Sequence, residues 1–186
     1  LFIKPANLGS SVGVSRVEEK KEYEPAITEA FHYDNKVIIE ECISGREIEC
    51  SVLGNENPIA SVPGEVITDK THHQFYSYEA KYLDEHGAKL AIPAKLSKKQ
   101  TKEVQEMAIR VFKTLCCEGM GRVDFFLRDN GSLVVNEINT IPGFTSISMY
   151  PKLWEASGIS YQKLVDTLIQ LAIERFKKEQ KLLTSK

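Results

Sequence analysis

The stretch GRVDFFLRDNGSLVVNEIN, Gly121 to Asn139, decides the fold. Two short alternating runs, Gly121 to Leu127 and Leu133 to Ile138, flank the turn residues Arg128 to Gly131. Asn-Gly between such runs signals a β-hairpin. With Asn130 and Gly131 as a two-residue loop, Asp129 faces Ser132, and counting back sets Asp124 opposite Glu137 and Arg122 opposite Asn139. Val123, Phe125, Leu127, Val134 and Ile138 then form an apolar face turned toward a core.

Directly opposed side chains have Cβ atoms about 4.5–5.5 Å apart, where two carboxylates repel unless something lies between them. A divalent cation fills that place. Asp, Glu and Asn offer only oxygen ligands, which suits hard Mg²⁺ or Mn²⁺. Arg122, two residues from Asp124, lies on the same face. The competing reading is a solvated hairpin face with its acids in water, and a one-residue slip of register would undo the pairing. The next segment, Asn139 to Ser146, is rich in turn residues, hydroxyls and backbone donors suited to a polar ligand.

Working outward, 186 residues with 42% hydrophobic content bury a real core as one domain, or one domain with a small lobe. A net charge of −2 argues against general attraction to nucleic acid or an anionic membrane, and no apolar run approaches a membrane span. Cys42, Cys50, Cys116 and Cys117 show no zinc spacing and read as reduced thiols of a cytoplasmic chain. The chain begins Leu1-Phe2-Ile3-Lys4-Pro5, without Met and inside a strand, so a preceding portion is expected.

That strand runs into a loop of small residues, Pro5 to Val14. It matches neither a P-loop nor GxGxxG, yet its glycines and serines can present N–H groups and hydroxyls to a phosphate beside Lys4; an ordinary surface loop is the alternative. Arg16 to Tyr33 reads as helix in two pieces, the second started by Pro25 with Ala26, Ala30 and Ile27 inward. Strands follow at Val37 to Ile43, Glu47 to Leu53 and Ile59 to Ile67. The polar segment Thr68 to Lys89 lacks a period and reads as a binding loop or lid; its adjacent His72 and His73 diverge and make a poor metal pair. Ser97 and Gln100 form a capping box for a helix reaching Cys117, with Val104, Met107, Ala108, Val111, Phe112 and Leu115 as its stripe. A short helix from Pro151 to Ser157 ends at Gly158, and Tyr161 to Lys178 is amphipathic, with Leu164, Val165, Leu168, Leu171 and Ala172 inward.

A lysine beside a glycine-serine loop, acids at a strand end, a lysine-bearing lid and a metal hairpin with an arginine together suit phosphoryl transfer. The runs KPANLGSSVGVS, EECISGREIECSVLG, FYSYEAKY and GRVDFFLRDNGSLVVNEINTIPGFTSISMYPKLWEASG resemble the D-alanine–D-alanine ligases of the ATP-grasp superfamily over nearly the whole chain. The resemblance implies an α+β ATP-grasp fold of antiparallel sheets flanked by helices. Residues up to about 53 would complete a nucleotide-binding lobe, and 54–186 would form a C-terminal lobe with lid 68–89 and metal hairpin 121–139. It implies a cytoplasmic enzyme of peptidoglycan precursor synthesis that uses ATP, D-alanine and two Mg²⁺ or Mn²⁺ ions. The full-length protein would be a homodimer, with neither nucleic acid nor membrane as partner.

Carried over residue by residue, the metal ligands fall on Asp124, Glu137 and Asn139, and the oxyanion donors on Arg122 and the backbone of Gly143. Lys4 and Lys81 match phosphate ligands, Glu40, Glu41 and Ile43 the adenine-edge segment, Glu47 the ribose ligand and Phe75 a residue packed near the base. Ser10 and Tyr82 match the serine and tyrosine that link phosphate loop to lid, and Ser148 with Met149 the pocket for the second substrate's carboxylate. Tyr82 resembles the dipeptide-forming type, whereas Ser77 departs from the acid usual there. A carboxylate–amine ligase with another amino acid, or a non-catalytic nucleotide- and metal-binding module, are the alternative readings.

Overall fold

The computed structural model describes residues 1–9, 11–68, 88–145 and 147–183. Their strands are β1 (Phe2–Pro5), β2 (Ser15–Arg16), β3 (Val37–Glu40), β4 (Arg46–Gly54), β5 (Ile59–Ala60), β6 (Gly64–Thr68), β7 (Ala88–Ala91), β8 (Gly119–Leu127) and β9 (Leu133–Asn139). The α-helices are α1 (Tyr23–Phe31), α2 (Lys98–Thr114), α3 (Met149–Ala156) and α4 (Tyr161–Glu179).

The chain divides into two units, Leu1–Ser44 with Ile67–Lys89, and Gly45–Val66 with Leu90–Lys186. The first stretch of the first unit ends at Ser44, ahead of the strand that residues up to about 53 include. That strand, β4, pairs with β8 at nine consecutive positions from Arg46↔Leu127 to Gly54↔Gly119 and so belongs whole to the second unit.

In the first unit β1 lies between β2 and β3, antiparallel to both. Ile3 is fully buried with Val17, Ala26 and Ala30 of the same core. Helix α1 starts two residues before Pro25, which occupies its first turn, where a missing N–H costs nothing. Arg16, read as helical, is strand, paired with Phe2.

The second unit is built on a sheet in the order β7-β6-β4-β8-β9, with β5 paired to β4. Strand β8 buries Gly121, Val123, Phe125 and Leu127 in strict alternation. These meet Ile48, Cys50 and Val52 of β4 and, across the layer, Val104, Ala108 and Phe112 of α2. The Ser97 hydroxyl accepts from the Gln100 N–H at 3.2 Å, and the Gln100 side chain accepts from the Ser97 N–H at 3.0 Å, so the capping box forms as expected. The helix stops at Thr114, leaving Leu115 exposed beyond the covered sheet. On the opposite face Tyr150 and Trp154 of α3 and Leu164 of α4 pack on the end of the sheet that carries Leu53 and Met120, and Met149 and Leu153 of α3 reach Gly64 of β6. Ala172, expected inward on α4, is exposed because the sheet ends before the helix does.

The hairpin differs from its expected form near the turn. Arg128 N–H donates to Ser132 O at 3.0 Å and Gly131 N–H to Arg128 O at 2.8 Å. The loop is therefore three residues, Asp129, Asn130 and Gly131, with Gly131 at φ +83°, a conformation glycine adopts without steric cost. This moves the pairing by one, to Leu127↔Leu133 and Phe125↔Val135, so Leu133 rather than Val134 packs on the core. A β-bulge at Asn136 then takes up the extra residue, and the expected pairs Asp124↔Glu137 and Arg122↔Asn139 are restored.

Candidate active site

The half of the sheet left open by α3 and α4 carries the polar cluster. Antiparallel pairing puts Glu49 of β4 opposite Asp124 of β8 and Asp124 opposite Glu137 of β9, so three acids cross the sheet in one row. Arg122 lies beside that row. Its Nε donates to Asp124 Oδ1 and its Nη2 to Asp124 Oδ2, both at 2.7 Å. Nε also lies 2.9 Å from Glu49 Oε2. The side chains are 19% exposed for Arg122, 11% for Glu49 and 14% for Asp124, so water screens these pairs little. Burial alone would lower the pKa of Arg122, but the hydrogen bond and charge of Asp124, with the charges of Glu49 and Glu137, hold it above its ordinary value.

Asn139 Nδ2 lies 3.0 Å from Asp124 Oδ2 and 3.3 Å from Glu137 Oε1. Both carboxylates thus converge on one electropositive group. Among the described residues no three His, Cys, Asp or Glu side chains form a metal cluster. The candidate donor set is two carboxylates and an amide, all offering oxygen, and its convergence on a single donor fits a hard divalent cation. The nitrogen end of Asn139 faces the carboxylates here; the ligating end would be its oxygen.

The loop after β9 brings Gly143 against Ser148. A Cβ on Gly143 would lie 2.9 Å from Ser148 Oγ, so a side chain there displaces the serine. Ser148 Oγ accepts from Thr145 N–H at 3.0 Å, and the two hydroxyls are 2.9 Å apart. Met149, at the start of α3, is buried at 5% exposure with its sulfur facing Gly64.

In the first unit Lys4 Nζ pairs with Glu40 Oε2 at 2.6 Å, bringing together two residues expected at a nucleotide. Glu41 is exposed and Ile43 half-buried. In the second unit Glu47, half-buried, is on the same face of β4 as Glu49. Ser10, Phe75, Lys81 and Tyr82 lie outside the described residues, as do His72, His73 and most of the lid segment. Glu49 was missed by sequence reasoning. Its signal was the alternation of Glu47, Glu49 and Ser51, which gives a polar face but not the strand that face adjoins.

Antiparallel sheets flanked by helices, with acids, an amide and an arginine on the open half of one sheet, match the ATP-grasp fold of solved ligases. The solved D-alanine–D-alanine ligase of Coxiella burnetii superposes with a TM-score of 0.85 at 47% identity, over 97% of this chain and 47% of that one. The VanG D-Ala:D-Ser ligase of Enterococcus faecalis gives 0.82 at 41% identity, over 91% and 48%. The family model described as D-ala D-ala ligase C-terminus matches residues 1–170, and the chain belongs to that family. The D-alanine–D-alanine ligase of Oceanobacillus iheyensis is 58% identical over all 186 residues, which span 50% of its length. The chain thus spans about half the length of the curated relatives it matches. Among the described residues no helix is long and apolar enough to cross a membrane.

Proposed function

We propose that the chain is the nucleotide- and metal-binding portion of a ligase that joins two D-alanines at the expense of ATP, in the cytoplasm, for peptidoglycan precursors. The observation that carries this reading is the convergence of Asp124 and Glu137 on one point beside a guanidinium held by acids. In the reaction a carboxylate oxygen of the first D-alanine attacks the γ-phosphorus of ATP and ADP leaves. The amine of the second D-alanine then attacks the acyl carbon, and phosphate departs as the tetrahedral oxyanion collapses.

Asp124, Glu137 and Asn139 would hold Mg²⁺ or Mn²⁺, two ions in the full site, which when bound neutralise phosphate charge. Arg122 supplies a fixed positive charge, and the N–H of Gly143 a second donor, for an oxyanion that needs groups already in place. Ser148 offers its hydroxyl to a substrate carboxylate, with Met149 packing the base of that loop. Lys4 and Lys81 are assigned to phosphate oxygens, Glu40, Glu41 and Ile43 to the adenine edge, Glu47 to the ribose, Phe75 to the base, and Ser10 and Tyr82 to the link between phosphate loop and lid. The whole protein is proposed as a homodimer.

A second reading is a ligase taking a different second amino acid, since a D-Ala:D-Ser ligase shares the fold at a TM-score of 0.82, although its 41% identity is below the 47% and 58% of the two D-alanine–D-alanine ligases. It keeps the metal hairpin and alters the surroundings of Ser148. Calorimetry with a non-hydrolysable ATP analogue and Mg²⁺ tests the site common to both. Asp124→Ala is expected to weaken binding at least about tenfold, through loss of a charged ligand; unchanged affinity would refute the assignment.

A further inference from the structure

We infer that Glu49 is a positioning residue for Arg122, holding its guanidinium from the neighbouring strand so that it keeps its place when Asp124 is engaged by a cation. What Arg122 does rests on the ligase reading above; what Glu49 does rests on the geometry of the sheet.

Two carboxylates grip Arg122. Asp124 does so from the same strand through both oxygens, and Glu49 approaches Nε at 2.9 Å from β4. Asp124 is also assigned to the cation. A carboxylate drawn onto a divalent ion gives up part of its hold on a neighbouring guanidinium, while the ion's own charge repels that guanidinium. Arg122 then depends on its second carboxylate. Glu49 is suited to that task because it comes from another strand, and the nine register pairs between β4 and β8 fix its position.

Charge balance points the same way. Glu49, Asp124 and Glu137 bring three negative charges and Arg122 one positive, so with Arg122 still paired the row keeps net negative charge to offer a cation. Glu49 is only 8% exposed, and burying a carboxylate is costly unless it is paired. That cost is met where the partner is an arginine whose placement matters.

The test is hydrogen exchange of the Arg122 Nε–H, read by nitrogen-15 NMR and assigned with Arg122→Lys, in the parent, Glu49→Gln and Glu49→Asp. Each is measured alone and with Mg²⁺ plus a non-hydrolysable ATP analogue, and folding is checked by thermal unfolding. In Glu49→Gln exchange is expected to speed up about tenfold or more, as follows from removing a carboxylate charge 2.9 Å from an Nε whose proton is donated to Asp124. The acceleration should be larger with Mg²⁺ and nucleotide bound, and Glu49→Asp should fall between. An exchange rate unchanged from the parent in a folded variant overturns the inference, and if Glu49→Gln fails to fold, Glu49→Asp decides by the same criterion. A parent that binds no Mg²⁺–nucleotide overturns the ligase reading instead, and the exchange rates without cation still decide Glu49.

Discussion

Replacing Arg122 with Met removes a cation from among acids while keeping most of the side-chain volume. The guanidinium makes two 2.7 Å bonds to Asp124 and a 2.9 Å contact to Glu49, and all three side chains are under one-fifth exposed. An exposed ion pair contributes about 0–1 kcal/mol, but removing one partner of a buried pair costs about 3–5 kcal/mol, because the remaining charge has lost its compensation. The second figure applies here, since Glu49 and Asp124 face each other at one register position and would repel directly. That is a large part of a stability of about 5–15 kcal/mol. Urea unfolding at pH 7 measures the loss, and a double-mutant cycle with Glu49→Gln identifies its origin. Glu49→Gln should stabilise the Arg122→Met protein by relieving repulsion while failing to stabilise the parent, a coupling of about 1–3 kcal/mol. A loss below about 1 kcal/mol for Arg122→Met, or the same effect of Glu49→Gln in both backgrounds, would refute the reasoning.

Two other outcomes follow from the second unit. Burial pushes the Cys50 thiol from an ordinary 9.0 up to about 12, so the folded chain keeps a proton that the unfolded chain releases. The contribution is complete below pH 9 and lost as the pH rises to 12, at about 1.4 kcal/mol per pH unit; alkaline urea titrations of the parent against Cys50→Ala should show that difference, and parallel curves would contradict it. A Cβ on Gly45 would lie 2.6 Å from Leu127 O and 3.0 Å from Leu127 C, backbone atoms that cannot rotate away. Gly45→Ala should therefore cost about 1–3 kcal/mol or more in thermal or urea unfolding, and a variant as stable as the parent would show that the β4–β8 contact yields freely.

The sequence made the facing of Asp124 and Glu137 legible, but by a route that was only half correct. A two-residue loop without a bulge and a three-residue loop with a bulge at Asn136 give the same pairing at the site, and period-two patterns do not distinguish them. The difference surfaced only nearer the turn, where Leu133 displaced Val134 from the core. Helical periodicity likewise located the stripes of α2 and α4 but not where their cover ends, so Leu115 and Ala172 were misplaced. Strand β7 was hidden in a polar segment because Ala88 to Ala91 is too short to show a period. Glu49 needed knowledge of strand order: nothing local in its own strand says that β8 is its neighbour.

The bulge at Asn136 divides the hairpin into two segments that keep separate count. Between it and the tip, the one extra residue of the turn is taken up by one unpaired position, so the far segment keeps its phase. For protein engineering this makes the Asp129 to Gly131 turn a port: a reporter or affinity peptide grafted there is insulated, by a single irregular residue, from the geometry at Asp124 and Glu137.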